Sequence, residues 1–321
     1  MLSEPPASPA AEPRTGPYLI VVNAAAGAGR ARARWPALES ALRRRGVVFE
    51  AAFTSRSGDA TRLAAESISR GYAGVVAVGG DGTINEVVNG LMATQERVRS
   101  DPVPLLGVLP SGTAQDFARS AGIPLRAAAA IELLARPHPQ PLDVGRIRFE
   151  SGAVRYFANY AGVGFDAMVA VRARRWGRWL RGALPYVVGF FAALRGYRNQ
   201  RFVLRVDEAP PLVPPRRINM VILANGANYA GLLRIAPGAS LSDGQLDVVV
   251  VGDIGRLELL ASLPLALFGR HVMHPKVTAL RARVVTITAA ASVPVQSDGE
   301  VAGRLPACFD VLPGALRLLG A

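Results

Sequence analysis

The chain opens on an apolar run, Tyr18-Leu19-Ile20-Val21-Val22, which ends in a glycine-bearing turn and an Arg/Ala/Leu stretch of helical character reaching about Arg45. The same phrase returns three times. Residues 47–53 precede Gly58-Asp59-Ala60 and a helix to about Arg70. Residues 75–78 precede Gly79-Gly80-Asp81-Gly82 and a helix over 84–92. Residues 105–109 precede Ser111-Gly112-Thr113 and a helix over 114–121. Short β-branched runs alternating with helical patterns of ~10–15 residues predict parallel βαβ units. A three-layer α/β domain is therefore expected over 17–138.

The proline-rich segment 136–142 has the composition of a linker, and beyond it the punctuation becomes strand-like. Strands are expected at 157–161, 202–206, 218–224, 246–251, 284–287 and 301–304, with Asp-Gly turns at Asp243 and Asp298. This predicts a mostly antiparallel β domain over 139–312. It carries a helical excursion at about 166–194 and a further helix over 255–268. Residues 313–321 are expected to return to the first domain. Residues 1–16, rich in Pro, Ala and Glu and without an apolar h-region, predict a disordered tail rather than a signal peptide. The longest apolar runs, 186–194 and 259–269, fall well short of the ~20 residues that a membrane-spanning helix needs.

Composition narrows the chemistry. With 321 residues, half of them hydrophobic, the chain can build two cores. One cysteine, Cys308, and three histidines exclude a disulfide framework and a Cys- or His-based metal cluster. The net charge of +13 comes almost wholly from arginine, Lys276 being the sole lysine, and it points to anionic partners. Between Asp166 and Asp207 no acid occurs, while Arg172, Arg174, Arg175, Arg178, Arg181, Arg195 and Arg198 interleave with Trp176, Trp179, Tyr186, Phe190, Phe191 and Tyr197. Such a stretch suits an anionic membrane surface. A core of aromatics under a solvated arginine face is the plainer alternative. Nucleic-acid binding is not expected, because no nucleic-acid fold accompanies the basic residues.

The sharpest feature is Gly79-Gly80-Asp81-Gly82-Thr83-Ile84-Asn85-Glu86, set between a strand and a helix. Glycines let backbone N–H groups approach phosphate oxygens, and the helix N-terminus adds partial positive charge. Thr83 and Glu86 also have capping-box spacing, so one such turn alone signals only a well-started helix. Repetition changes this. Ser111-Gly112-Thr113-Ala114-Gln115-Asp116 has the same grammar, and Asn23-Ala24-Ala25-Ala26-Gly27-Ala28-Gly29 is a third glycine turn. All would lie along the carboxyl edge of one parallel sheet, where open α/β folds bind ligands. They imply a polyphosphate, with Asp81 or Asp116 facing Mg²⁺ or its waters. No P-loop motif is present, and the segment from Gly27 lacks the third glycine of a dinucleotide fingerprint.

In order along the chain, these turns, Asn159-Tyr160-Ala161-Gly162-Val163-Gly164-Phe165-Asp166, Asp243-Gly244, Gly269-Arg270-His271 and Asp298-Gly299-Glu300 resemble the diacylglycerol kinase catalytic family, which includes sphingosine and ceramide kinases. The resemblance runs from about Tyr18 to the C-terminus. It implies an ATP-dependent lipid kinase with a nucleotide-binding α/β domain, a β-sandwich domain and an active site in the cleft between them; with the basic stretch, the chain is expected to be cytoplasmic and peripherally membrane-associated. Carried over by position, ATP would be bound by Asn23, Gly27, Thr54, Gly79, Gly80, Asp81, Gly82, Thr83, Ile84, Asn85, Gly112, Thr113 and Asp116. Glu300 would accept the proton of the lipid hydroxyl, with Asp81 and Asp298 as competing acids for base or metal contact. Asp243, with main-chain oxygens of Ser240 and Gln245, would hold a structural Mg²⁺. The first turn departs from the family's Asn-Pro-x-Ser-Gly, having lost its proline and serine. Diacylglycerol is the default substrate. An NAD-kinase-like small-molecule kinase and a catalytically weak lipid-binding regulator are the alternatives, and a homo-oligomer is compatible with the sequence.

Overall fold

Aliphatic and β-branched side chains dominate the first strands because they are covered on both faces. β1 (Tyr18–Asn23) buries its four central residues, and β3 (Gly74–Gly79) is buried throughout. Each aliphatic side chain so removed from water contributes ~1.5–3 kcal/mol. The computed structural model describes residues 16–27, 29–98, 103–176, 180, 184–210 and 216–320. The expected tail thus lies outside the described residues except for Gly16, as do Arg178, Trp179 and Arg181 of the basic stretch.

The α/β region runs β1, α1 (Arg30–Arg44), β2 (Phe49–Thr54), α2 (Asp59–Ser69), β3, α3 (Asp81–Val98), β4 (Leu105–Pro110), α4 (Asp116–Ser120) and α5 (Ala127–Ala135). Its strands are parallel in the order β2-β1-β3-β4. Register places Asn23 opposite Thr54 and Gly79 opposite Pro110, so the strands end together at one edge. The order reverses between β1 and β3, which opens a crevice at that edge.

The remaining strands are β5 (His138–Phe149), β6 (Val154–Phe157), β7 (Tyr160–Gly164), β8 (Gln200–Val206), β9 (Arg216–Ile218), β10 (Met220–Ala224), β11 (Asn228–Tyr229), β12 (Leu233–Arg234), β13 (Leu246–Val251), β14 (Val277–Ala282), β15 (Val284–Ala289), β16 (Pro294–Ser297), β17 (Glu300–Arg304) and β18 (Ala307–Gly320). Helices α6 (Phe165–Trp176) and α7 (Leu184–Gly196) form the expected excursion, and α8 (Arg256–Leu267) follows β13. The six-stranded sheet β14-β13-β10-β7-β16-β17 is antiparallel and packs through Val163, Leu223, Val248 and Val295 onto Phe157, Phe202, Val285 and Phe309 of the larger sheet. Its outer face is covered by α6, α7 and α8. The architecture is thus an α/β domain with a parallel sheet followed by a β-sandwich-like domain.

One strand joins the two. β18 pairs antiparallel with β15 at its start and parallel with β4 at Arg317 and Leu318. The expected linker is not a linker: it begins β5, whose Pro139 and Pro141 stand opposite Leu319 and Arg317. Proline fits because β5 has no neighbour on its other side at this end, so no N–H is wanted there.

Candidate active site

The three glycine turns meet at the strand edge. Asn23 Nδ2 donates to Thr83 Oγ1 at 2.9 Å, tying the first turn to the second despite the loss of proline and serine. A Cβ on Gly27 would fall 2.6 Å from the Ser111 carbonyl oxygen, and one on Gly112 would fall 2.4 Å from Gly80 Cα. Ser111 N–H donates to the Gly79 carbonyl at 2.8 Å. Only glycines permit this approach, and the result is a cradle of bare backbone that suits phosphate oxygens. Thr54 flanks Asn23 at the end of β2, and Thr113 is exposed on the lip. Ile84 is buried in the core and offers the edge only backbone.

The capping box is not formed. Helix α3 begins at Asp81, and Glu86 reaches away to accept from Ala60 N–H at 3.1 Å and the Ser57 hydroxyl at 3.2 Å, capping α2 instead. The orphan N–H groups of a helix start are satisfied by whichever acceptor lies nearest in space. Asp81 does the same for α4. Its oxygens accept from Gln115 N–H and Phe117 N–H, both at 3.0 Å, and burial pushes its pKa up. Asp116 is buried beside it, accepts from Gly231 N–H at 2.6 Å, and is pushed up to about 7 by burial and then by the charge of Asp81.

The second domain answers with the β16–β17 hairpin. Asp298 and Gly299 have φ of 46° and 87°, the double positive φ that a type I′ turn demands. Asp298 is buried and accepts from Ala158, Asn159 and Tyr160 N–H and from Asn85 Nδ2, at 2.8–3.0 Å. Burial raises its pKa to about 6. Asn85, expected on the nucleotide, thus spends its amide across the domain boundary, donating also to the Tyr156 carbonyl at 3.0 Å. Glu300 is the first residue past the turn. Its Oε1 lies 3.5 Å from where a Cβ on Gly82 would stand, so the acid faces the glycine edge. The side chain is open to solvent, yet the protein packed round its carboxylate raises its pKa. The charge of Glu86 adds to this, while Arg174 and Arg155 oppose it.

Behind this meeting point lies a cavity of about 1020 Å³. Asp81, Gly82, Thr113 and Glu300 line its polar end, and Phe165, Val169, Phe190, Ile222, Val251 and Leu259 are among its apolar walls. Asp166, at the start of α6, is buried in the wall, with Tyr229 and Gln296 donating to its two oxygens.

Away from the cleft, Asp243 Oδ1 accepts from Gln245 N–H at 3.1 Å and Arg281 lies 3.8 Å from its other oxygen. No group of three His, Cys, Asp or Glu side chains placed for a metal occurs among the described residues. The donors at 240, 243 and 245 are all oxygens, as a hard cation requires, and the buried Asp247 Oδ2 nearby has no hydrogen-bond partner. Sequence reading missed Asp143, whose oxygens accept from Gly244 and Gly314 N–H at 2.7 and 2.8 Å and so hold this turn against β18. An acid between Leu142 and Val144, in an otherwise apolar run, was the available signal.

The glycine-turn edge, the acid opposite it and the apolar cavity behind both thus lie together in one cleft. Residues 17–147 match the model of the diacylglycerol kinase catalytic domain, and residues 144–320 match that of the YegS C-terminal NAD kinase beta sandwich-like domain. A diacylglycerol kinase of Mycobacterium tuberculosis is 32% identical over 279 residues, covering 87% of this chain and 86% of the relative. One of Staphylococcus haemolyticus is 30% identical over 290 residues, covering 90% and 84%. A crystal structure described as a diacylglycerol kinase from Bacillus anthracis superposes with a TM-score of 0.75 at 23% identity, covering 95% of this chain and 97% of that one. This chain belongs to the diacylglycerol kinase family, and it is a lipid kinase.

Proposed function

We propose that this chain transfers the γ-phosphoryl group of ATP to the free hydroxyl of diacylglycerol. The observation that carries this reading is the position of Glu300, between the glycine edge and the apolar cavity. Acyl chains would occupy the cavity and leave the hydroxyl at its polar end. Glu300 accepts the hydroxyl proton as the oxygen attacks the γ-phosphorus, and the β–γ bridging bond breaks with its electron pair leaving on ADP. The backbone of the three turns binds the phosphates, and Asp81 holds the third turn to the second. Asp298 fixes the hairpin that presents Glu300. Asp81 and Asp116 are the acids that would hold Mg²⁺ at the phosphates, where it would neutralise charge during transfer. Asp243 and the main-chain oxygens of Ser240 and Gln245 would hold the structural ion.

Labelled phosphate from [γ-³²P]ATP should appear on diacylglycerol when separate panels of lipids and of NAD are offered. Label on NAD alone would overturn the reading. Label on a sphingoid base or ceramide alone would keep the lipid kinase and replace its substrate. The apolar walls favour a lipid over a dinucleotide, and the intact Asn23–Thr83 bond favours an active enzyme over a regulator that merely kept the fold.

The same cavity suggests how a lipid is reached. Leu184, Val187 and Phe191 on α7, Leu257 on α8, Phe268 and Met273 are large apolar side chains left exposed, and Arg195, Arg256 and Arg270 stand among them. No helix is long and apolar enough to cross a membrane among the described residues. A peripheral contact with an anionic surface fits this pattern. In co-sedimentation, binding should rise with the phosphatidylglycerol content of vesicles and fall with salt. Equal binding to neutral vesicles at every ionic strength would remove the electrostatic part of the idea.

A further inference from the structure

Gly299 is the tip of the hairpin that presents Glu300, and both of its main-chain groups are held. Its N–H donates to Gln296 Oε1 at 2.7 Å, and its carbonyl accepts from the Tyr186 hydroxyl at 3.1 Å. The first anchor is set within the sandwich. Gln296 is 1% exposed and its Nε2 donates to Asp166 Oδ2 at 2.7 Å, which dictates that the amide oxygen, not the nitrogen, faces Gly299. Asp166 is itself steadied by the Tyr229 hydroxyl.

The second anchor is of another kind. Tyr186 stands in the first turn of α7, outside both sheets, and its successors Val187, Phe190 and Phe191 line the apolar cavity. The phenol reaches bare backbone: a Cβ on Gly299 would stand only 3.2 Å from its oxygen. One helix therefore forms a wall of the cavity and also grips the turn that carries the acid.

We propose that Tyr186 is a positioning residue that couples occupation of the cavity by an acyl chain to the placement of Glu300. The inference rests on the reading of Glu300 as the base. A chain that fills the cavity packs against α7 and orders it. Ordered α7 holds the phenol on the Gly299 carbonyl, and the hairpin tip then presents Glu300 at the glycine edge. The protein packed round its hydroxyl, and then the charge of Glu300, keeps the Tyr186 pKa up at about 12, so the hydroxyl remains a donor over the whole working range. Binding energy from the unreactive part of the lipid is thereby spent on the reaction and appears in kcat rather than in KM alone.

The test pairs Tyr186→Phe with diacylglycerols of short and long acyl chains in detergent micelles, with kcat and KM read separately. In the unaltered enzyme kcat should rise with chain length. Tyr186→Phe should lower kcat on the long-chain lipid roughly tenfold, make kcat the same for both lipids, and leave the Kd for ATP unchanged. Wild-type dependence of kcat on chain length in Tyr186→Phe overturns the proposal. A second arm places Tyr186→Phe in a Glu300→Gln background. There it should change the residual rate little, and the same tenfold loss in that background would show that Tyr186 acts other than through Glu300. A fully active Glu300→Gln enzyme would instead refute the base assignment, and the chain-length arm would still decide whether α7 controls kcat.

Discussion

Glu300→Gln is expected to stop phosphoryl transfer while leaving ATP binding intact. The two side chains have the same shape, and the position lies at an open hairpin end, so the fold has no reason to change. What is lost is the capacity to take a proton, which in general base catalysis is worth ~10²–10⁴-fold in rate. In the proposed reading ATP is held by the backbone of the opposite domain and does not need the carboxylate. Calorimetric titration with ATP alongside single-turnover transfer to diacylglycerol checks both halves. Near-normal transfer would move the role to another acid of the cleft. A pH profile adds a sign. A base must be ionised to act, and the protein packed round the Glu300 carboxylate raises its pKa, so kcat/KM should fall on the acid side at a pH above the ordinary carboxylate range. That limb should vanish in Glu300→Gln.

Gly112→Ala should produce the converse phenotype, an intact acid with no nucleotide to act on. The added methyl would stand 2.4 Å from Gly80 Cα, a backbone atom that cannot swing aside as a side-chain end can. The second and third turns must part, and the amides of both leave the positions from which they meet phosphate. Displacements of ~1 Å in such sites cost about a hundredfold, and a loss of this size in ATP affinity is expected. Gly196→Ala, where the nearest atom is the Arg172 Nη2 at 3.8 Å, is the control for losing a glycine without a clash. Equal ATP affinity in the two variants would mean that the turns do not form the phosphate cradle. Overpacking of this kind also costs ~1–3 kcal/mol, so a lowered Tm should accompany it.

The βαβ repeat was legible because its signals are local: buried β-branched strands, then glycine, then a helical period. The glycine turns were legible for the same reason, since close approach of backbone to backbone leaves its mark at the residues that make it. Features set by tertiary contact were not. Residues 136–142 read as a linker because proline is rare in strands, and only the empty side of β5 explains its presence there. Thr83 and Glu86 have capping-box spacing, but α2 lies within reach of Glu86, so the carboxylate serves a helix start that precedes it by 26 residues. Asn85 belongs by sequence to the phosphate turn, yet its amide meets Asp298, which is 213 residues away. The cavity had no signature at all. Its walls come from α6, α7, α8, β10 and β13, and apolar residues on separate elements carry no common spacing.

The pairing of β18 with β4 has a consequence for how the molecule is made. During synthesis β4 is complete some two hundred residues before Arg317 and Leu318 emerge from the ribosome. In that interval the nascent α/β half presents an open sheet edge, the kind of surface that invites intermolecular pairing. Pairing with β18 covers that edge, and a chain released before it forms would be exposed to aggregation there.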